Sequence, residues 1–565
     1  MTIGSERLHK WLTEIELSLK QNIEITPIGF SFLSEPELIF YLVDAIVMID
    51  EPQEEFIPTK NNLYLISDTS NQQNVEQAVE YIEDMSYTIL LCALEVCIVQ
   101  LQTAKEKDNK VATKILDDLM DYIANNMQQS AHTLEFWLPI INTFYDIHID
   151  LNQAMKNAYM ELALDDEWEI DTEDCNILQE LIDDMSDLSI FDIAENFFAQ
   201  SYAMPDEFYI DFISDLLKFP SGVDIAVLSL LHPKFEIRNL VVICLDKWLS
   251  NAKLSDKSYS HLQAIKNWYP ALDHQQFATW LQSYPPHSSF KIPLATAKIK
   301  ATEIDGDGAQ GIYLHLHTDN GHRLCGILVE RGRGIKDAWV TNCMNYNDFF
   351  KFYKQIQSDS CELRVVDYDY LTIIINHFLA VGLQRDLVPD LHLLEIQELI
   401  GVQFKPQFID FDTALKKLIL NIPDFAQQNI HQSFKRSKAW SVNKQFTESW
   451  YIENARIDKL VNRHSSIVNG VKFCDIELTM ADVFKYEFNQ QSNAWKLHFL
   501  WMAMLSSVKP RKNEKIALDS LIIANAMHNG MNLQDIPIMQ AICKHTVINS
   551  IETMHERRTY LSKEI

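Results

Sequence analysis

The sequence predicts a mainly α-helical protein, an irregular helical-repeat-like array with a small antiparallel β-rich (α+β) module inserted near the middle. Apolar residues recur at helical spacing through most of the 565 positions. Only 14 residues are glycine, about a third of the usual share of roughly 7%, too few for a fold built on many tight turns. The helical pattern gives way once, between about residues 285 and 370, to two-residue alternation. A chain of this length exceeds what one hydrophobic core supports, so several domains are expected.

Ser5 is placed to cap a first helix whose Leu8, Trp11, Leu12, Ile15 and Leu19 share one face. Ser34 and Glu37 form a capping box ahead of the apolar run LIFYLVDAIVMI. Long helical patterns follow over 75–104 and 110–127, then over 133–147, with a kink expected at Pro139, and over 151–164. The most apolar stretch, Tyr87 to Leu101, is interrupted by Glu95 and is shorter than the roughly 20 residues that cross a bilayer, so it reads as a buried core helix. Asp165, Asp166, Glu167, Glu169 and Asp171 then make an acidic connector, read as a solvated linker or as a docking segment for a basic partner.

From residue 205 two short antiparallel helices are expected, over 205–219 and 222–231, ahead of HPKFEIRNLVVICLDKWL at 232–249. Through Pro233, Ile237, Arg238, Val241, Val242, Cys244, Leu245 and Trp248 this segment resembles the second half of HEAT repeats, over about 45 residues. The resemblance implies stacked helix pairs, which expose extended surfaces and commonly bind other proteins.

The β-module is read from LATAKIKATEI (294–304), GIYLHLH (311–317) and HRLCGILV (322–329), the last two joined by the hairpin signal Asp319-Asn320-Gly321. Ile312, Leu314 and Leu316 share a face with Cys325, Ile327 and Val329, and that face should be buried. DAWVTN (337–342) and CELRVVDY (361–368) are further strands flanking a helix at 346–357. Helices resume near Tyr370 and are clearest at 412–420, 492–504 and 516–527. The resulting division is an acidic helical domain (1–164), a connector and helix (165–200), the HEAT-like segment (201–283), the α+β module (284–370) and a helical C-terminal domain (371–565).

Net charge is −31, unevenly spread: residues 1–200 hold 39 acidic and 9 basic side chains, residues 430–565 hold 13 and 18. An acidic surface repels phosphates, so nucleic acid is not expected on the N-terminal third. A basic protein partner is. Nine cysteines without a CxxC pair, several of them inside apolar helical patterns, fit a reducing cytoplasmic setting with no disulfide framework. Charged residues between Met1 and Leu19 interrupt what a signal peptide would need, and no membrane association is expected.

Four patterns bear on chemistry. Gly306, Gly308 and Gly311 spell G-x-G-x-x-G, but a strand follows where a dinucleotide site needs a helix, so a tight acidic turn is expected, with Asp305 and Asp307 exposed. The same context disfavours a calcium loop beginning at Asp305. His315, His317 and His322 lie on one hairpin face, where they either hold a divalent cation or form its solvated side. Arg331, Arg333 and Lys336 sit in a glycine-flanked loop able to clamp a phosphate or carboxylate. Lys435, Arg436 and Lys438 beside Trp440, and Lys509, Arg511, Lys512 and Lys515, form two modest basic clusters, expected to be solvated helix ends or contacts for the acidic surface.

No catalytic motif stands out and no cofactor is expected. The reading favoured is a non-enzymatic scaffold or adaptor that offers an acidic helical surface to a protein partner. The alternatives are an enzyme or small-ligand sensor with its site in the central module, and an acidic mimic of nucleic acid.

Overall fold

The computed structural model describes residues 3–21, 36–49, 87–106, 109–147, 149–165, 176–185, 188–203, 206–270, 273–282, 296–306, 308–318, 321–356, 363–422, 425, 428–442, 450–452, 454–468, 471–509 and 515–561. The chain divides into two compact units, one of residues 1–174, 196–209 and 553–565, the other of residues 175–195 and 210–552.

The first unit is helical. α1 (Ile3–Gln21), α2 (Glu37–Val47), α3 (Tyr87–Glu106), α4 (Lys110–Gln129), α5 (Leu134–Asp146) and α6 (Gln153–Asp165) turn their apolar stripes onto one core. Leu8, Trp11, Leu12 and Ile15 of α1 are buried there as the periodicity requires, whereas Leu19 at its last turn is exposed. The helix begins two residues before Ser5, which is therefore not its cap. α2 has Pro36 at its N-cap without a side-chain hydrogen bond, and Ser34 lies outside the described residues. α3 is long and apolar enough by composition to cross a membrane. Its Leu90, Leu94, Cys97, Ile98 and Leu101 are packed in the protein core instead. Asn109 caps α4 by accepting from the Val111 and Ala112 amides, and the Tyr122 hydroxyl donates to Asp44 of α2 at 2.5 Å. α5 runs on through Pro139.

In the second unit, α7 (Asn176–Asp184) and the first turn of α8 (Ile190–Ala203) precede α9 (Asp206–Leu216), α10 (Pro220–Leu228), α11 (Phe235–Leu249), α12 (Asp256–Lys266) and α13 (His274–Gln282). Proline at the start of α10 fits a position whose amide has no helical partner. In α11, Ile237, Val241 and Leu245 are buried, and the buried Arg238 donates to the carbonyls of His232 and Pro233 at 2.8 Å and of Asp386 at 3.1 Å.

A five-stranded antiparallel sheet follows, in the order β4-β3-β2-β1-β5: β1 (Thr296–Ala301), β2 (Ala309–Thr318), β3 (Gly321–Glu330), β4 (Gly334–Val340) and β5 (Arg364–Val366). The β2–β3 register sets Ile312 opposite Ile327 and Leu314 opposite Cys325, so the expected apolar face forms and is buried. α15 (Tyr368–Leu383) and α16 (His392–Ile400) pack on β4, while α14 (Tyr346–Ile356) packs on β3. Phe349 of α14 is buried against the histidine-bearing face. Gly326 sits under the Trp339 indole of β4, and a Cβ there would lie 2.3 Å from the ring.

Beyond the module run α17 (Phe411–Leu420), α18 (Ile430–Lys438), α19 (Ala455–Arg463), α20 (Ile476–Val483), α21 (Ser492–Val508), α22 (Ile516–His528) and α23 (Pro537–Leu561). A two-stranded hairpin, β6 (Ser465–Val468) with β7 (Val471–Cys474), interrupts the helices expected over 371–565. Trp501 of α21 donates through its indole to the Tyr370 hydroxyl at 2.9 Å. Tyr370 in turn donates to Gln310 at 2.8 Å, and the Gln310 amide donates to the Thr302 carbonyl.

Replacing Gly326 by alanine drives a methyl group into the Trp339 ring, and overpacking of this kind costs roughly 1–3 kcal/mol. Thermal unfolding followed by circular dichroism should show that loss. The double variant Gly326→Ala/Trp339→Leu should recover part of it, because the two positions are in contact.

Candidate functional site

The polar residues singled out from sequence meet different fates. Gly308 takes φ +81° in the loop joining β1 to β2. There Asp305 accepts from the Ala309 amide at 2.7 Å, and its carbonyl accepts from the Gly308 amide. The tight turn forms, but Asp305 faces its own backbone rather than solvent, and desolvation raises its carboxyl. Asp307 lies outside the described residues.

The three histidines do come together. His315 and His322 approach through ring nitrogens at 3.0 Å, and His317 stacks on His322 at 4.7 Å between centroids. Phe349 stacks on His315 at 3.9 Å, so this face is half covered by α14 and is not a fully solvated side. Burial pushes the His315 imidazole down to about 4, helped by His322, Lys298, His317 and Lys300. The nitrogens of the trio do not converge on a common point among the described residues. Their arrangement is an aromatic stack with one nitrogen–nitrogen contact, between His315 and His322.

Arg331, Arg333 and Lys336 diverge. The Arg331 guanidinium lies 5.3 Å from the Trp495 ring centroid, whereas Arg333 and Lys336 both approach Glu330, at 3.9 and 3.7 Å. A shared anion clamp is not formed. Asp165 ends α6, and Asp166, Glu167, Glu169 and Asp171 lie outside the described residues, as do Arg511 and Lys512. In the other basic cluster Trp440 is buried, and Arg436 points inward to Asp519, an almost fully buried carboxylate, with Nε at 2.9 and 3.2 Å from its two oxygens. That cation is an internal ion-pair partner rather than a solvated helix end, because Asp519 needs a neutralising charge inside the protein.

The densest convergence of polar groups is around α16, and it was not read from sequence. Within LHLLEIQELI, His392, Glu395 and Glu398 follow at three-residue spacing, so they line one strip of a helix whose other residues, Gln397 apart, are apolar. His392 is 5% exposed at its side chain, with Nδ1 2.9 Å from Glu395 Oε2 and Nε2 3.2 Å from Glu195 Oε2 and 3.9 Å from Asp192 Oδ1. Asp192 and Glu195 are one turn apart on α8. Glu395 is held from behind by Arg323 of β3, whose Nη2 lies 3.1 Å from Oε1 and whose Nε donates to the Thr341 carbonyl. Asp390 accepts from the His392 amide at 2.8 Å, and desolvation pushes its carboxyl up to about 7.

A second buried imidazole repeats the theme. His261 of α12 has Nδ1 3.1 Å from Asp224 and Nε2 2.7 Å from Glu398 Oε1, the latter a close ionic contact poorly aligned for a hydrogen bond. Ser258 and Lys257 also serve Asp224. Phe191 separates the two rings, 5.5 Å from His261 and 6.5 Å from His392. Burial alone would push both imidazoles down. Their carboxylate partners overcome it and raise His261 to about 9 and His392 to about 10. Each imidazolium is buried and is compensated by its carboxylates, some of them partly exposed, an arrangement that ties together α8, α10, α12, α16 and β3.

Two segments resemble Y4lR domains. Residues 205–285 match the model of the Y4lR second domain, and residues 412–551 match that of the Y4lR C-terminal helical domain. The chain is also similar to the uncharacterized protein y4lR of Sinorhizobium fredii (strain NBRC 101917 / NGR234), 22% identical over 320 residues. That alignment covers 55% of this chain and 59% of the relative, so the chain spans about three fifths of the length of the protein it matches. No solved structure matches. Arg238, Asp224 and His261 fall in the segment similar to the Y4lR second domain, whereas α16 lies between the two Y4lR-like segments.

The titration of His261 carries a sign. Its folded value exceeds the ordinary 6.5, so its stabilising contribution is complete below about pH 6.5 and is lost as pH rises through about 9. His315 and His377, both lowered to about 4 by burial, act oppositely and make stability rise with pH between about 4 and 6.5. Urea denaturation of the full chain should therefore give greatest stability near neutrality. The decline toward pH 9 should be shallower in His261→Gln by on the order of 2 kcal/mol, the remainder coming from His392, which is raised in the same direction.

Proposed function

We propose that the chain is a non-enzymatic scaffold or adaptor that binds a basic protein partner through the acidic helical surface of its N-terminal third. The observation that carries this reading is the charge asymmetry: residues 1–200 contain 39 acidic side chains against 9 basic ones. Several of those bases are already matched along their own helices, Lys10 with Glu14, Lys20 with Glu16 and Lys114 with Asp118. Glu95, Asp117, Asp121 and Glu161 remain at the surface, where their field steers cationic partners. A cytoplasmic setting goes with it, since Cys97, Cys244, Cys325 and Cys543 are free thiols buried as small hydrophobes.

We further propose that residues 205–249 pack as HEAT-like helix pairs, which would add an extended surface for such a partner. The alternative of a ligand site in the central module has less support, because Arg331 turns onto Trp495 while Arg333 and Lys336 meet Glu330.

Affinity capture with the full chain at about 50 mM and about 500 mM salt tests the proposal, since surface electrostatics is screened over that range. A basic protein should be retained at the lower salt and released at the higher. Reversing charge on α4 with Asp117→Lys, Asp118→Lys and Asp121→Lys should abolish its capture at low salt. Undiminished capture by that variant overturns the acidic-surface reading.

A further inference from the structure

We propose that Asp192, Glu195 and His392 form a binding site for one divalent transition-metal cation, with zinc the best match, and that Glu395 and Arg323 position the imidazole for it. One ligand atom from each of the three residues lies within 4.8 Å of the others. Bonds of about 2.0–2.2 Å in a tetrahedral shell separate neighbouring ligand atoms by about 3.3–3.6 Å. The 3.2 Å between His392 Nε2 and Glu195 and the 3.9 Å to Asp192 already bracket that spacing.

The surroundings of the imidazole fix which nitrogen faces the ion. Nδ1 is taken by Glu395 Oε2, and the other oxygen of Glu395 is taken by Arg323. A carboxylate behind the ring, itself held by a further group, is the arrangement that orients metal-ligating histidines. Nε2 is left toward the two carboxylates of α8. Access is graded accordingly: the side chains of His392 and Glu395 are 5% and 6% exposed, whereas those of Asp192 and Glu195 are 28% and 45% exposed. An ion therefore enters from the α8 side, and a water completes its shell there.

Three carboxylates, Asp192, Glu195 and Glu395, gather at the imidazole with Arg323 as their cationic neighbour, so a dication there meets an excess of negative charge. One nitrogen and two oxygen donors suit zinc, whereas calcium and magnesium prefer shells made of oxygen alone. Occupied, the site ties the first turn of α8 to α16, and this role is independent of any partner bound by the acidic surface.

The test uses the full chain freed of metal with a chelator and titrated with zinc chloride by calorimetry, with metal content measured after gel filtration. One ion per chain is expected, and cobalt in its place should give the visible absorption of a low-coordinate nitrogen–oxygen site. Glu195→Gln, at a half-exposed position, should weaken zinc by at least about 10-fold, and Glu395→Gln by about 10–100-fold. His317→Ala, in the hairpin stack, should leave affinity unchanged. Absence of stoichiometric zinc overturns the proposal, as does unaltered affinity in both Glu195→Gln and Asp192→Asn. Loss of zinc in His317→Ala instead would place the ion on the hairpin and overturn it equally.

Discussion

Two buried imidazoles, each held between carboxylates, are the constraint on which the second unit depends. An isolated charge at either place would be costly to bury, and a neutral ring would leave its carboxylates uncompensated. The helices that supply the partners must therefore arrive together. α16 presents His392, Glu395 and Glu398 along one strip; Arg323 and Glu195 come to it from a strand and another helix, and His261 of α12 links Glu398 to Asp224 of α10. Apolar packing supplies most of the stabilisation, but it is non-directional, and these pairs decide how the elements are matched.

Local physics explains how much of the fold was legible. Two-residue alternation at 311–317 and 322–329 placed both central strands and their buried face, since side-chain period and turn chemistry are properties of adjacent residues. The helices of the first unit followed from their apolar stripes in the same way. The β6–β7 hairpin was missed although Asn469-Gly470 supplies a hairpin signal, because strands of four residues give alternation too little length to register.

The candidate site was not legible for a different reason. Glu195 and His392 are 197 positions apart, and no periodicity within either helix announces the other. The usable signal was weaker: three polar residues at regular spacing in a helix whose other positions are nearly all apolar, and Asp192 and Glu195 one turn apart. The motifs that stand out in the sequence lie instead on the histidine-bearing hairpin and the glycine-flanked loop. There the structure turned Arg331 onto an indole and His315 onto Phe349, so that aromatic rings take up faces that would otherwise have been open to a ligand.

The chain of bonds from Trp501 through Tyr370 and Gln310 to the Thr302 carbonyl has a direction. The indole can only donate, so the phenol oxygen accepts from it and must pass its own proton to the Gln310 oxygen, which leaves the amide nitrogen for Thr302. Each link therefore admits one orientation of the next. Greasy surfaces alone would let a helix slip by a turn over a sheet at small cost, but a slip here would strand four polar groups away from water. The chain acts as a registration mark that sets α21 and α15 at one height above β2.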